Sequence, residues 1–218
     1  MGQVVADISM SLDGYVAGPD PSLEDPLGKG GELLHEWVVE TAAWRESHGR
    51  SGGEKNVDSE VVEEHVGAVG ATIMGRHMFS GGSGGWEDDP RANGWWGDEP
   101  PFHHPVFVLT HHEREPLELT GTTFTFVTDG IESALEQARA AAGDKNVAVA
   151  GGGEAIDQYL RACLVDQMQL HVAPVFLGGG TRLFDGHRDG GPAKLEADRV
   201  VQSPAGVAHL RYRLRQQR

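Results

Sequence analysis

The 218-residue chain is 39% hydrophobic and 23% charged, an ordinary globular composition with length enough to bury a sizeable core. Its formal net charge of −15 argues against nucleic-acid or anionic-membrane partners, and no apolar run reaches the roughly 20 residues of a membrane span. The single cysteine, Cys163, rules out an intrachain disulfide framework and any zinc site built on paired cysteines; together with an N-terminus that lacks a signal-peptide pattern, it points to a cytoplasmic protein.

The chain opens with an apolar strand over Gln3–Met10, broken by Asp13-Gly14, a turn signal. A Pro- and Gly-rich loop spans Gly18–Gly31, and helical spacing follows over Glu32–Ser47, with Leu33, Leu34, Trp37, Val38, Ala42 and Trp44 as core candidates. A short helix is predicted near Asp58–Val66, with Asp58 or Ser59 as its N-cap. "GATIMG" reads as a buried strand. Ser80–Pro105 is a long run of turn residues that carries Trp86, Trp95 and Trp96; tryptophans argue against simple disorder. Then come strands over Val106–Thr110 and Thr123–Thr128, a helix over Ile131–Ala142, a strand over Asn146–Ala150, a helix from Glu154 to Ala162 and a strand over Val165–Phe176. Strands over Lys194–Gln202 and Val207–Arg215 close the chain. In the last of them Leu210, Tyr212 and Leu214 alternate with Arg211, Arg213 and Arg215, the pattern of a half-buried strand with a solvated arginine face. Strands alternating with helices predict one α/β domain over residues 1–218, its sheet mostly parallel with an antiparallel C-terminal hairpin.

Three segments fall where such a sheet binds ligands, beyond the carboxyl ends of its strands. In "ATIMGRHMFSGG" a buried strand runs into Gly75-Arg76-His77. The alternatives are an anion site at a helix start, with the Arg fork on a phosphate, or two surface cations. In "AVAGGGEAIDQYL" three glycines join strand to helix, either as a tight turn or to let a pyrophosphate approach the backbone. The spacing is not the G-x-G-x-x-G of a dinucleotide fold. In "VFVLTHHER", Thr110, His111, His112 and Arg114 follow a buried strand. Adjacent histidines on an extended chain point to opposite sides, which disfavours a metal centre there, and no metal is expected.

"ATIMGRHMF" and "VAVAGGGEAIDQYL" resemble elements of dihydrofolate reductases, and "SMSLDGYVAG" and "LVDQMQLHVAPVFLGGGTRLF" resemble the reductase domain of the riboflavin-pathway deaminase–reductase, the RibD C-terminal type. The match runs from about Val4 to Phe184 in order. The resemblance implies a dihydrofolate-reductase-like three-layer α/β/α fold of about eight strands, in standalone form, that uses NADPH on a small-molecule substrate, associates as a homodimer and serves riboflavin biosynthesis. It also implies that Gly75, Arg76 and His77 hold phosphates, with Arg76 near the 2′-phosphate, and that Thr110 and His111 line the adenosine side. Gly151, Gly152, Gly153, Glu154, Ala155 and Ile156 would receive the pyrophosphate, with two of the glycines joined by a cis peptide, and Ser9 and Ala17 would flank the nicotinamide. Asp13 would shape its loop. For proton transfer the candidates are Asp7, set in an otherwise apolar strand, and His35 and Glu36 on the following helix. The three tryptophans either cover the substrate as a lid or pack their loop onto the body. The alternatives kept are a pterin reductase and a nucleotide-binding module without turnover.

Overall fold

The computed structural model describes residues 2–82, 84–185 and 194–214. Strand β1 (Val4–Ser11) lies between two parallel neighbours, β7 (Asn146–Gly151) and β8 (Gln167–Ala173). Beyond β7 come β3 (Val69–Gly75), β4 (Val106–Leu109), β6 (Thr122–Val127) and the short antiparallel β5 (Leu117–Leu119). Beyond β8 come β11 (Ala208–Arg213) and β10 (Glu196–Gln202), both antiparallel. The order β10-β11-β8-β1-β7-β3-β4-β6-β5 makes nine strands in place of about eight. The extra one is β5, three residues too short to show a period. A separate ribbon pairs β2 (Tyr15–Ala17) with β9 (Thr181–Arg182).

Alternation sends Val4, Ala6, Met168, Leu170, Val147 and Val149 to one face of the sheet. There they meet α5 (Ile131–Ala142) and α6 (Gly153–Arg161) through Ala134, Leu135, Ala138, Ile156 and Leu160. Tyr159 is fully buried in this layer, and its hydroxyl donates to the Ile131 carbonyl at 2.7 Å. The opposite face is covered by α1 (Glu36–Val39), α2 (Ala42–Ser47), α3 (Val57–Ala68), α4 (Arg76–Ser80) and the tryptophan-bearing segment. The result is the three-layer α/β/α architecture.

The predicted helix over residues 32–47 is broken. A 3₁₀ turn at Gly31–Leu34 precedes α1, and Thr41 restarts the chain as N-cap of α2. Thr41 Oγ1 bonds locally, donating to the Val38 carbonyl at 2.7 Å and accepting from the Trp44 amide at 3.3 Å, and such bonds compete with helix propagation. Of the core candidates there, Leu34 and Trp37 are buried, whereas Leu33 is 37% exposed. The N-cap of α3 is Asn56, not Asp58 or Ser59: its Oδ1 accepts from the amides of Asp58 and Ser59 at 3.0 and 3.1 Å. Asn56→Ala is expected to lower stability by about 1 kcal/mol, read from a urea midpoint with unchanged slope. The strand predicted over Val165–Phe176 ends at Ala173, and Phe176 is exposed. Of the C-terminal arginine face, Arg213 is exposed as expected and Arg211 is partly buried. It lies beneath α3, donating to Gln169 Oε1 and Glu64 Oε1 at 2.8 and 2.7 Å. Arg215 lies outside the described residues.

Candidate active site

The β7–α6 turn forms a cradle. The Gly151-Gly152 peptide is cis. Gly75, at the end of β3, lies against it: a Cβ there would meet Gly152 N at 3.7 Å and Gly151 O at 3.9 Å. A Cβ on Gly153 would fall 2.7 Å from Val16 Cγ2, so this glycine is required by the β2–β9 ribbon beside it. A Cβ on Gly152 would meet nothing within 4 Å. The middle glycine therefore borders open space at the N-terminus of α6, where backbone amides favour an anion. Glu154 at that terminus is exposed, while Ala155 and Ile156 are buried behind it. The cradle fits a pyrophosphate.

Arg76 does not fit as freely. It is 8% exposed, donates through Nε to Ser80 Oγ at 2.9 Å, and pairs with Asp89. Its guanidinium lies 3.2 Å from the Trp86 ring centroid, and Nη1 is buried without a hydrogen-bond partner among the described residues. The side chain assigned to the 2′-phosphate is thus held by a carboxylate of the long loop. His77 and His111 are exposed, and Thr110 is buried, accepting from the His112 amide at 3.1 Å. Arg114 turns back to Ala92 and Asn93 and stacks on Trp86.

The tryptophans pack their loop onto the body. Trp86 Nε1 donates to the His112 carbonyl at 2.9 Å and Trp95 Nε1 to the Met78 carbonyl at 2.7 Å. Trp86 sits edge-on to Phe79 and Phe126, and Trp96 to Phe102. These contacts are the packing of the loop onto the body, the second of the two alternatives for these residues.

The proton-transfer candidates do not form one cluster: Glu36 lines a cavity that Asp7 and His35 do not reach. Asp7 points inward: Oδ1 lies 3.0 Å from His171 Nε2, and Oδ2 pairs with His65 Nδ1 at 3.1 Å. Burial alone would raise the Asp7 carboxyl, but His65 and His171 outweigh it and hold it well below the usual carboxylate range. Burial would lower His65, but Asp7 raises it. From His171 the chain continues: Nδ1 is 2.6 Å from His209 Nδ1, and His209 Nε2 is 2.8 Å from Asp58 Oδ1. Asp58 Oδ2 accepts from Ser203 Oγ at 2.8 Å. Trp37 covers the histidine pair, with ring centroids at 4.6 and 4.9 Å, and donates through Nε1 to Ser9 Oγ at 3.1 Å. Burial lowers His35, and the charge of His171 adds to this; His35 Nδ1 is buried without a hydrogen-bond partner among the described residues.

Beside Trp37 opens a cavity of about 240 Å³, its wall including Glu36, Glu40, Glu54, Asp58 and Val207. Glu36 and Asp58 reach it, whereas Asp7 is not among its lining and sits at the far end of the histidine chain. The sequence reading missed His171, His209 and Asp58 as a unit. His171 alternates with apolar residues in β8, as Asp7 does in β1, and two polar residues on one face of neighbouring strands were the available signal. Asp13 shapes its loop as expected, accepting from Ser11 Oγ and from the amides of Leu177 and Gly178.

The sheet order and the covered faces define a dihydrofolate-reductase-like α/β fold. The profile of the RibD C-terminal domain matches residues 3–208, and the chain belongs to that family. A putative riboflavin biosynthesis protein from Shewanella sp. PV-4 superposes with a TM-score of 0.60 at 20% identity, over 97% of this chain and 98% of its own. A diaminohydroxyphosphoribosylaminopyrimidine deaminase/5-amino-6-(5-phosphoribosylamino)uracil reductase from Thermotoga maritima gives 0.57 at 15%, over 97% of this chain and 56% of that one. Dihydrofolate reductase from Enterococcus faecalis, complexed with NADP(H) and RAB-propyl, gives 0.50 at 13%, over 97% and 96%. No curated protein matches the chain. Among the described residues no helix is long and apolar enough to cross a membrane.

Proposed function

We propose that the protein is a cytoplasmic NADPH-dependent reductase that passes hydride to a small heterocyclic or ribose-derived substrate, of the 5-amino-6-(5-phosphoribosylamino)uracil reductase type. The observation that carries this is the Gly75/Gly151–Gly153 cradle, open at Gly152 and closed at Gly153. Bound NADPH supplies the hydride. The chain supplies backbone amides at the start of α6 for the pyrophosphate, Ser9 and Ala17 beside the nicotinamide, and the cavity beside Trp37 to orient the acceptor. Family membership and the fold support the class of reaction.

The carboxylates around the cavity favour a second reading of the substrate. They repel phosphate and accept N–H donors, which suits a pterin-type ring. On either substrate the protein acts as a homodimer; β10 is one of the sheet's two edge strands and leaves Val200 66% exposed.

The test is a titration with NADPH and NADH followed by nicotinamide fluorescence. Gly152 has φ −70° and ψ −177°, which an alanine adopts, and open space around it. Gly152→Ala is therefore expected to keep the melting temperature and weaken NADPH binding about tenfold or more, ~1.4 kcal/mol. Binding of neither cofactor by the unaltered protein sinks the proposal.

A further inference from the structure

Arg76 follows Gly75, the residue that lies against the Gly151-Gly152 cradle, and its guanidinium is already occupied. Nε donates to Ser80 Oγ at 2.9 Å, and Nη2 pairs with Asp89, whose Oδ2 also accepts from Ser80 Oγ at 2.7 Å. Asp89 Oδ1 turns away to accept the Arg91 amide at 2.8 Å. The carboxylate therefore meets one corner of the guanidinium. The other corner, Nη1, is buried without a hydrogen-bond partner among the described residues. A guanidinium fork suits two oxygens of one phosphate, so Asp89 leaves unused a donor that a phosphate would engage.

A second guanidinium crowds the pair. Arg114 Cζ lies 4.9 Å from the Trp86 ring centroid, on the same ring that Arg76 approaches to 3.2 Å. Burial lowers the Arg114 guanidinium, and the charge of Arg76 adds to this. In a chain of net charge −15, two arginines here share the Asp89 carboxylate. Access is closed as well. The side chains of Arg76 and Asp89 are 9% and 2% exposed. Trp86 lies over the guanidinium and is tied to the His112 carbonyl at 2.9 Å. A Cβ on Gly82 would overlap Asp89 Oδ2 and sit 3.2 Å from Arg76 Nη2, so the chain also presses on the pair from that side. No outside anion reaches Arg76 while Trp86 and Asp89 stay in place.

Resting on the NADPH reading above, we infer that Asp89 is a specificity-determining residue that makes recognition of a 2′-phosphate an exchange of anions. A 2′-phosphorylated cofactor binds by lifting Asp89 and Trp86 off Arg76, whereas a cofactor with a bare 2′-hydroxyl leaves both seated. The exchange keeps Arg76 paired throughout: one carboxylate leaves as one phosphate monoester enters. The phosphate gains Nη1, and the Ser80 hydroxyl, which loses Asp89 as acceptor, turns to a phosphate oxygen. Trp86 holds the His112 carbonyl, so the same movement reaches the Thr110–Arg114 stretch assigned to the adenosine side. Affinity for the phosphorylated cofactor is lowered by the population of the seated state; affinity for the unphosphorylated one is not.

The experiment uses the full chain and two cofactor fragments, adenosine 2′,5′-bisphosphate and adenosine 5′-monophosphate. Indole N–H resonances of ¹⁵N-tryptophan-labelled protein report the position of Trp86, whose signal is assigned by its loss in Trp86→Phe. The bisphosphate is expected to shift the Trp86 resonance, and the monophosphate to bind and leave it unmoved. Asp89→Asn keeps the shape of the side chain and removes its charge. It is expected to tighten bisphosphate binding about tenfold and leave monophosphate binding unchanged. Should Asp89→Asn fail to fold, Trp86→Phe thins the cover but keeps the ion pair. It is expected to speed bisphosphate association at unchanged monophosphate affinity. Bisphosphate binding with the Trp86 resonance unmoved, the same shift from both probes, or variants that change both probes alike overturns the proposal alone. Binding of neither probe overturns the cofactor reading and the proposal with it.

Discussion

Asp7→Ala is expected to cost about 3–5 kcal/mol of folding stability, the usual effect of removing one partner from a buried charge pair. The carboxylate is the acceptor for His171 Nε2 and the counter-ion of His65, so its loss leaves two imidazoles facing a void. The packing that remains beneath α3 does not replace it, since Gln169, His171, His209 and Arg211 line the same face. Urea unfolding of both proteins across pH checks the sign as well as the size. The Asp7 carboxyl is lowered in the folded state, so its contribution is present above about pH 4 and is lost as the medium becomes more acidic. His65 is raised, so its contribution is complete below about pH 6.5 and is lost as pH climbs through the raised folded value. The pair therefore stabilises most on the acid side of neutrality, and Asp7→Ala is expected to flatten both limbs. An equal loss at every pH would mean that the carboxylate acts by packing alone.

Asp89→Ala is expected to have the second large effect, again about 3–5 kcal/mol. Asp89 joins Arg76 and accepts from Ser80 Oγ at 2.7 Å, and both it and the arginine are almost fully buried. Without it the guanidinium keeps Ser80 and the Trp86 face but no counter-charge. The segment between Gly81 and Pro105 loses its inner anchor, while Trp86 and Trp95 retain theirs to His112 and Met78. Limited proteolysis is expected to cut within this segment in the variant and to spare it in the parent. The same change frees the Arg76 fork, so NADPH affinity is expected to rise relative to NADH even as stability falls. A fall in both properties together would show that Arg76 reaches a cofactor phosphate only while Asp89 positions it.

Much of this architecture was legible in the residues. Val4–Ser11, Asn146–Gly151 and Ile131–Ala142 carry long uniform patterns, and their predicted bounds lie within a residue or so of the observed ones. The cradle was legible as well, because three glycines between a strand and a helix have few uses. The helix over 32–47 failed because periodicity has no term for the local bonds of Thr41. On the arginine face of the last strand Arg213 is exposed as expected, whereas Arg211 is partly buried, because alternation shows that two faces differ, not that every position of the polar one is open to water. Arg76 shows the limit of a motif. Its type and place match, but its partner lies thirteen positions on, in a loop that periodicity leaves unread. Asp58 looked like a helix cap because it sits where caps sit; Asn56 took that role and left the aspartate free to turn inward.

The two coverings of the sheet differ in what they hold fixed. Behind α5 and α6 the contact is made of methyl and ring surfaces, which resist separation but tolerate small sliding because dispersion has little direction. Beneath α3 the contacts are directional and fall near both ends of the helix, at Asp58 and at His65. A shift by one residue turns those side chains by about 100° around the helix axis and breaks both contacts together. One layer is clamped by pressure and the other is keyed, so the keyed helix sets the lateral index of the cavity wall while the clamped layer absorbs thermal breathing.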